Sequence, residues 1–182
     1  MKNYLRFFLK FTGKDYSTSY KLLSMLPGSL VFLILSPLLI FFLSRYLSGF
    51  IAFSCPRPLE LFLVVLTGST ALIFMLWSLW ELWITGEGTP APIAPTRKLV
   101  TTGPYKFCRN PIELGTDLYI FAVGTLFASL TTGLLCFFFA ILLGSGYIKL
   151  IEEQELRLRF SREYDTYYRK TGFMFILFTR GK

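Results

Sequence analysis

The sequence predicts an all-α integral membrane protein with about four transmembrane helices and a C-terminal cytoplasmic amphipathic helix. Of its 182 residues, 53% are hydrophobic and 16% are charged, whereas soluble domains carry about 25% charged residues. A single soluble core of this size could not bury so much apolar surface. The composition therefore excludes a disordered chain, a collagen-like chain and a basic nucleic-acid-binding domain, and it favours a single membrane domain over residues 1–182.

Residues 1–83 contain an interfacial segment followed by two spans. The segment 1–26 mixes lysine with Tyr, Leu and Phe, which is typical of a stretch lying in the membrane interface. The runs 27–47 and 58–83 are both apolar, and each has the roughly 20 residues that a membrane-spanning helix needs. Three tryptophans near residue 80 predict an aromatic belt at the end of the second span.

A loop and a helical hairpin follow. The loop 84–110 contains two glycines and three prolines between residues 85 and 96, which cannot propagate a helix, so we expect a solvated linker. Two further apolar runs, 112–130 and 133–150, are separated by a very short turn. They predict an antiparallel hairpin over residues 111–150.

The last segment, 151–182, is predicted to be a cytoplasmic helix and tail. Leu156, Phe160 and Tyr164 recur every four residues, as on one face of a helix. No proline interrupts residues 132–170, so one long helix is expected there. Oppositely charged residues four apart predict two ion pairs: Glu153 with Arg157, and Glu155 with Arg159.

The distribution of positive charge predicts the topology. Lysine and arginine total 19, and 17 of them lie in segments 1–26, 84–110 and 149–182. Because cytoplasmic loops carry the excess of positive charge, both termini and the 84–110 loop are placed in the cytoplasm. The net charge of +8 is then explained by topology and by attraction to anionic lipid, and no nucleic-acid partner is expected.

The residue inventory limits the chemistry. The chain has no histidine, which excludes histidine bases and histidine-ligated haem or zinc. Cys55, Cys108 and Cys136 form no C-x-x-C pair, so neither a disulfide scaffold nor a metal site is expected.

Charged residues at the ends of the hairpin predict a polar pocket. Arg109, Glu113 and Asp117 lie four residues apart at the start of the third run, and charged groups inside spans are costly unless they serve a function. Lys149, Glu152 and Glu153 leave the fourth run at the same level. We expect the two clusters to face each other; the alternative is an interfacial helix end that meets water.

Small and aromatic residues suggest what such a pocket would hold. Gly115, Gly144 and Gly146 would let helix backbones or a flat ligand approach closely, and the Tyr105 ring could contact a cation. A pocket with both charge signs and an apolar flank, at the membrane–cytoplasm boundary, suits an amphipathic zwitterion with a flat ring. A side opening to lipid would admit an apolar substrate.

Short motifs in this region resemble the isoprenylcysteine carboxyl methyltransferase family, whose wider group includes membrane phospholipid N-methyltransferases. The resemblance covers about residues 60–170 and rests on three elements in order: Arg97-Lys-Leu-Val-Thr-Thr-Gly-Pro-Tyr105, Arg109-Asn-Pro-Ile-Glu-Leu-Gly115, and Glu152-Glu153 followed by Leu156, Phe160 and Tyr164. The loop 86–92 resembles that of many bacterial members, which implies a bacterial inner membrane. This chain departs from the family pattern at Asn110, Glu113 and Ser161, where the pattern usually has His, Tyr and Gly.

The resemblance implies S-adenosylmethionine as the cofactor, bound on the cytosolic side beneath the last hairpin. By position, the residues lining it would be Leu99, Val100, Tyr105, Asn110, Pro111, Ile112 and Glu113, with Gly115 allowing close approach. Glu152 would hold the charged end of the cofactor, and Arg109 would organise the pocket. The methyl acceptor is expected to be a lipidic or prenylated small molecule.

The chemistry required of the protein depends on the acceptor. A carboxylate acceptor is already anionic, whereas an amine acceptor would need Glu152 or Glu153 as a base. The predicted catalytic residues are therefore Arg109, Glu152 and Glu153. Two other functions stay open at this point: an NADPH-dependent sterol-type reductase, although its usual N-Y-x-G-E motif is absent, and a non-enzymatic small membrane protein.

Overall fold

In the computed structural model, residues 9–51 and 53–174 are described, and over these residues the fold is all-α, with two isolated β-bridges and no strand. The α-helices, in chain order, are α1 (Thr18–Leu30), α2 (Ser36–Ser48), α3 (Arg57–Ile84), α4 (Pro111–Phe127), α5 (Leu130–Tyr147) and α6 (Glu153–Lys170). The π-helical segment Val31–Leu35 joins α1 to α2, the π-helical segment Ile148–Glu152 joins α5 to α6, and a 3-10 turn spans Gly103–Lys106. The first residues of the predicted interfacial segment and the last residues of the predicted tail lie outside the described part.

Within the described part of the chain, three helices are long and apolar enough to cross a membrane: Thr18–Ser48, Arg57–Ile84 and Leu130–Lys170. They contain the predicted first, second and fourth spans. Helix α4 corresponds to the predicted third span but has only 17 residues, or about 26 Å at 1.5 Å per residue, against a hydrocarbon core of about 30 Å. The exact count of four and the cytoplasmic location of the termini therefore stay predictions.

The first long helix begins at Thr18, earlier than the apolar run that predicted it. The Ser17 hydroxyl accepts a hydrogen bond from the Tyr20 amide at 3.3 Å, which is the interaction that starts a helix at a serine cap. Pro27 lies inside α1 without ending it. Prolines are tolerated in membrane helices, where neighbouring groups can satisfy the freed backbone.

The outward faces of these helices are apolar. Leu39 is 74% exposed, Phe42 is 67% exposed and Val65 is 68% exposed. Contiguous apolar surface of this kind is not stable in water. The surface is therefore that of a protein embedded in a lipid bilayer.

The chain forms two compact units. The first comprises Met1–Gly28, Leu76–Pro111 and Gly146–Lys182, and the second comprises Ser29–Met75 and Ile112–Ser145.

In the second unit, glycines bring α4 and α5 together. A Cβ added to Gly124 on α4 would lie 2.9 Å from the Cα of Gly133 and 2.7 Å from the Sγ of Cys136, both on α5. At the other end of the same pair, the side chain of Glu113 occupies the space beside Gly144. The contacts run in opposite directions along the two helices, so the predicted antiparallel hairpin is present, and small residues set its close spacing.

The turn between α4 and α5 is held by two side chains from the start of α3. Arg57 donates to the carbonyls of Thr125 at 3.2 Å and Leu126 at 2.7 Å. Glu60 accepts a hydrogen bond from the Leu130 amide at 2.7 Å. A cation thus meets the carbonyl end of α4 and an anion meets the amide end of α5, which is the favourable arrangement for both helix dipoles.

A proline in α2 is compensated from α4. Pro37 has no N–H to donate to the Leu33 carbonyl four residues earlier. The Tyr119 hydroxyl donates to that carbonyl at 3.1 Å. Unpaired backbone groups inside a membrane are costly, so this hydrogen bond is stabilising. It also links the junction between α1 and α2 to α4.

In the first unit, the loop after α3 is a packed element, so the expectation of a solvated linker is wrong. Thr89, Ala91 and Ala94 are buried, and the Thr89 amide donates to the Ala94 carbonyl at 3.0 Å. A Cβ on Gly88 would lie 2.5 Å from the Pro95 carbonyl oxygen. The glycines and prolines that exclude a helix here allow this tight fold of the backbone.

Helices α5 and α6 form one continuous element, as the absence of proline predicted, but two features alter it. The π-helical segment Ile148–Glu152 inserts a wider turn, and the backbone of Ser161 has φ 44° and ψ −119°, which is not helical. Ser161 therefore kinks α6 into two parts. Whether α6 lies in the cytoplasm as an amphipathic helix stays a prediction.

Candidate functional site

Arg109 and Glu153 form a buried ion pair in the first unit. The Arg109 guanidinium donates to the Glu153 carboxylate at 2.9 Å, and the two side chains are only 8% and 9% exposed. The expectation that the two charged clusters face each other is confirmed for this one pair, whose residues are 44 positions apart. The predicted pair of Glu153 with Arg157 is wrong, because the buried Arg109 takes the carboxylate and Arg157 lies 3.6 Å from Asp165 instead.

The other side of the Arg109 guanidinium binds carbonyl groups at the C-terminal end of α6. The Nη1 atom donates to the carbonyls of Tyr168 at 3.0 Å and Thr171 at 2.5 Å, and the guanidinium lies 3.9 Å from the centre of the Tyr168 ring. Last-turn carbonyls have no helical partner, and a cation there is favourable. Arg109 thus connects Glu153 to the C-terminal end of α6. Its Nε is the one guanidinium nitrogen that has no hydrogen-bond partner among residues 9–51 and 53–174.

Neighbouring backbone contacts hold the same segments together. The Arg109 amide donates to the Gly172 carbonyl at 2.9 Å, and the Asn110 side-chain amide donates to the Phe173 carbonyl at 2.9 Å. The Arg109 backbone and the Asn110 side chain therefore position the chain that follows α6.

Tyr105 and Glu152 lie in the same region. Tyr105 is buried, and the Tyr167 hydroxyl donates to its carbonyl at 2.6 Å. Burial raises the pKa of the Tyr105 phenol well above its usual range, and the negative charge of Glu152 raises it further. The phenol is consequently neutral at physiological pH, so Tyr105 can offer a hydroxyl and an aromatic face but not a base.

Arg159 links α6 to the loop after α3. Its guanidinium donates to Glu155 at 3.2 Å, which confirms the predicted pair, and also to the carbonyl and hydroxyl oxygens of Thr96. Glu152 acts electrostatically on Arg159 as well as on Tyr105. Within the first unit, Glu152 is therefore in electrostatic range of both Tyr105 and Arg159.

A family model decides the class of protein. The model of the phospholipid methyltransferase family matches residues 59–163, more than half of the chain. The chain belongs to the phospholipid methyltransferase family. Among curated proteins and solved structures, nothing matches the chain.

Membership in the phospholipid methyltransferase family makes the chain a membrane methyltransferase, in agreement with its three apolar helices. The resemblance drawn from the motifs is confirmed at this level. The match favours neither the reductase nor the non-enzymatic alternative.

The predicted site residues of this phospholipid methyltransferase family member fall in both units. The first unit contains eight of them: Leu99, Val100, Tyr105, Arg109, Asn110, Pro111, Glu152 and Glu153. The second unit contains Ile112, Glu113 and Gly115. Whether these residues bind a cofactor stays a prediction.

Packing accounts for two features of α4. A Cβ on Gly115 would lie 2.6 Å from the Cγ of Met75 on α3, so this glycine allows α3 and α4 to approach. The Glu113 side chain fills the space left by Gly144 on α5. In contrast, a Cβ on Gly146 would meet nothing within 4 Å, so packing does not explain that glycine.

Asp117 is fully buried, at 0% exposure. Neither of its carboxylate oxygens has a hydrogen-bond partner among the described residues. The alternative in which this acidic stripe simply meets water is therefore wrong for Asp117, although the structure shows no ligand role for it.

Two contacts of the predicted site residues were missed from the sequence. Tyr167 and Tyr168 contact Tyr105 and Arg109, whereas the predicted helix face contains only Leu156, Phe160 and Tyr164. The spacing of Tyr164, Tyr167 and Tyr168, which repeats at three and four residues, is a helical-face signal that could have identified them. Within the described ranges, no group of three or more Cys, Asp or Glu side chains could hold a metal ion.

Proposed function

We propose that the chain is an S-adenosylmethionine-dependent methyltransferase that acts on a lipidic or prenylated small molecule at the membrane–cytoplasm boundary. Family membership supports methyl transfer, and the apolar helices support a lipid environment. The observation that carries the proposal is the buried Arg109–Glu153 pair, because it joins Arg109 to the residue next to Glu152, whose charge acts on Tyr105.

The residues of the first unit fit the chemistry of this cofactor. Glu152 supplies negative charge for a cationic end, and the neutral ring of Tyr105 lies within its electrostatic reach. Val100 and Pro111 are buried apolar residues that precede and follow Tyr105 in the sequence, and such residues suit an adenine ring. S-adenosylmethionine supplies an electrophilic methyl group when bound.

Arg109 is proposed as a positioning residue. Its charge is already shared by Glu153 and two backbone carbonyls, so it holds the site together instead of binding an acceptor carboxylate. Methyl transfer needs an aligned donor and acceptor in a water-excluding site, and the hydrogen bonds between Arg109 and α6 provide this alignment.

The two carboxylates have different surroundings. Glu153 is held by Arg109, whereas Glu152 lies in the π-helical segment and acts on Tyr105 and Arg159. We therefore assign the cationic end of the cofactor to Glu152. For an amine acceptor, one of these two carboxylates would accept the proton that the ammonium loses before attack.

A ligand-stabilisation experiment tests the cofactor. Detergent-purified protein is heated with S-adenosylmethionine, with its demethylated product, or with NADPH, and the unfolding temperature is measured. We expect the first two to raise that temperature and NADPH to have no effect. Stabilisation by NADPH alone would refute the proposal.

A matched pair of variants tests the site. Glu152→Gln removes a charge-assisted contact, worth about 1.5–3 kcal/mol, or about 10- to 150-fold in S-adenosylmethionine affinity. Glu163→Gln, an exposed acid on α6, should leave the affinity unchanged. Equal affinities for the two variants would show that Glu152 does not bind the cofactor.

A further inference from the structure

The second part of α6 carries an exposed basic face. Arg162, Arg169 and Lys170 are exposed and, with Asp165 and Thr166, line a shallow concavity in the surface. Residues seven and eight positions apart lie on the same side of a helix, so the three cations point to a common side. We refer to Arg162, Arg169 and Lys170 as the α6 basic face.

No carboxylate neutralises this face in the described part of the chain. Asp165, the acid beside it, lies 3.6 Å from Arg157, and none of the ion pairs of residues 9–51 and 53–174 includes Arg162, Arg169 or Lys170. All 11 acidic residues of the sequence lie in those ranges, and the sequence after residue 174 adds two basic residues and no acidic one. The positive charge is therefore available to an external anion.

The kink at Ser161 separates this face from the axis of the preceding helix. Along a straight helix, Arg162 would lie about 22 Å beyond Tyr147, the end of α5. The non-helical backbone of Ser161 breaks that line directly before the first basic residue. Residues 162–170 therefore do not continue the direction of the membrane-crossing helix.

We propose that the α6 basic face binds the headgroups of anionic phospholipids in the bilayer that holds the protein. The face is covalently continuous with a helix able to cross a membrane, so headgroups are the anions present at high local concentration. Guanidinium groups match phosphate oxygens in geometry and charge. The proposal does not depend on methyltransferase activity, so it can fail or hold independently of the proposed function.

The test uses the full chain in nanodiscs of phosphatidylcholine, with or without phosphatidylglycerol. A fluorophore on Glu163→Cys, in a Cys55→Ser background, reports contact with a quencher attached to lipid headgroups. We expect quenching to rise with the fraction of phosphatidylglycerol and to fall at high salt, because exposed charges are screened.

Two triple variants locate the effect. R162Q/R169Q/K170Q should weaken the apparent affinity for phosphatidylglycerol about 100-fold, since each basic residue near an anionic surface contributes about fivefold. R97Q/K98Q/K106Q removes the same charge from the loop after α3, where Glu87 already pairs with Arg97 and Lys98, and should weaken the affinity less than the first triple variant does. Circular dichroism and the unfolding temperature check that both variants are folded.

Three results would overturn the proposal. Equal quenching with and without phosphatidylglycerol would show that the face does not bind anionic headgroups. Equal losses in the two triple variants would assign the effect to net charge instead of this face. Displacement by inorganic phosphate at constant ionic strength would identify a small-anion site.

Discussion

Replacing Ser161 by glycine should stabilise this protein. Ser161 lies inside α6 with φ 44° and ψ −119°, values close to the first central position of a type II′ turn, where glycine is preferred. Its side chain is exposed, and it makes no side-chain hydrogen bond among the described residues. The substitution therefore relieves the backbone without removing a contact.

The size of the effect follows from two opposing terms. A non-glycine residue in such a conformation costs about 1–3 kcal/mol. Glycine offsets about 0.5–1 kcal/mol of this gain, because it gives the unfolded chain more conformational freedom and so stabilises the unfolded state. The net gain is about 1 kcal/mol in the free energy of unfolding, which raises the unfolding temperature of a chain of this size by about 2–4 °C.

The assay is thermal unfolding in detergent, followed by a thiol-reactive dye. Cys108 and Cys136 are buried, so the dye reports their exposure as the protein unfolds. Ser161→Ala is the control, since it removes the hydroxyl but keeps the unfavourable backbone, and its unfolding temperature should not rise. If Ser161→Gly unfolds at or below the temperature of Ser161→Ala, the backbone argument is wrong.

Three further predictions concern contacts elsewhere in the chain. Tyr119→Phe leaves the Leu33 carbonyl without its hydroxyl donor and should lower the free energy of unfolding by about 1–3 kcal/mol in the same thermal assay; an unchanged unfolding temperature would contradict this. Glu60→Ala removes the acceptor of a backbone amide at the start of α5 and should cost about 1.5–3 kcal/mol, whereas Glu60→Gln, which keeps an acceptor, should cost less. In the folded protein at pH 8, a maleimide should modify the half-buried Cys55 well before the buried Cys108. Burial raises the pKa of the Cys108 thiol to about 11, and the thiolate is the reactive form. Mass spectrometry of the labelled peptides gives the order of labelling, and Cys108 labelled first would contradict the prediction.

The long apolar elements could be predicted because they depend on local composition. The run 58–83 became α3, Arg57–Ile84, and the proline-free stretch 132–170 became the long element Leu130–Lys170, which is kinked at Ser161. Helix length is set by how many apolar residues follow one another, and that number is visible in the sequence. The first helix was predicted less well, since Pro27 appeared to mark its start although it lies inside α1.

The polar contacts were predicted in part. Placing Arg109 near Glu153 followed from the antiparallel hairpin, and the contact is present. The i, i+4 rule also assigned Glu153 to Arg157, but in the structure Glu153 pairs with the distant Arg109 instead. A buried arginine needs a buried anion more than an exposed arginine does, and burial is not visible in helical spacing.

By itself, the sequence determined the all-α membrane class, the long apolar helices and the methyltransferase family, because these follow from composition, run length and motif order. Only the tertiary structure decided the π-helical segment that carries Glu152, the kink at Ser161 and the packed loop after α3. Each of these is a local departure from regular backbone that costs free energy. Such departures persist where surrounding contacts, such as those of Thr89 and Ala94 within the loop, outweigh the cost, and those contacts join residues that only folding brings together.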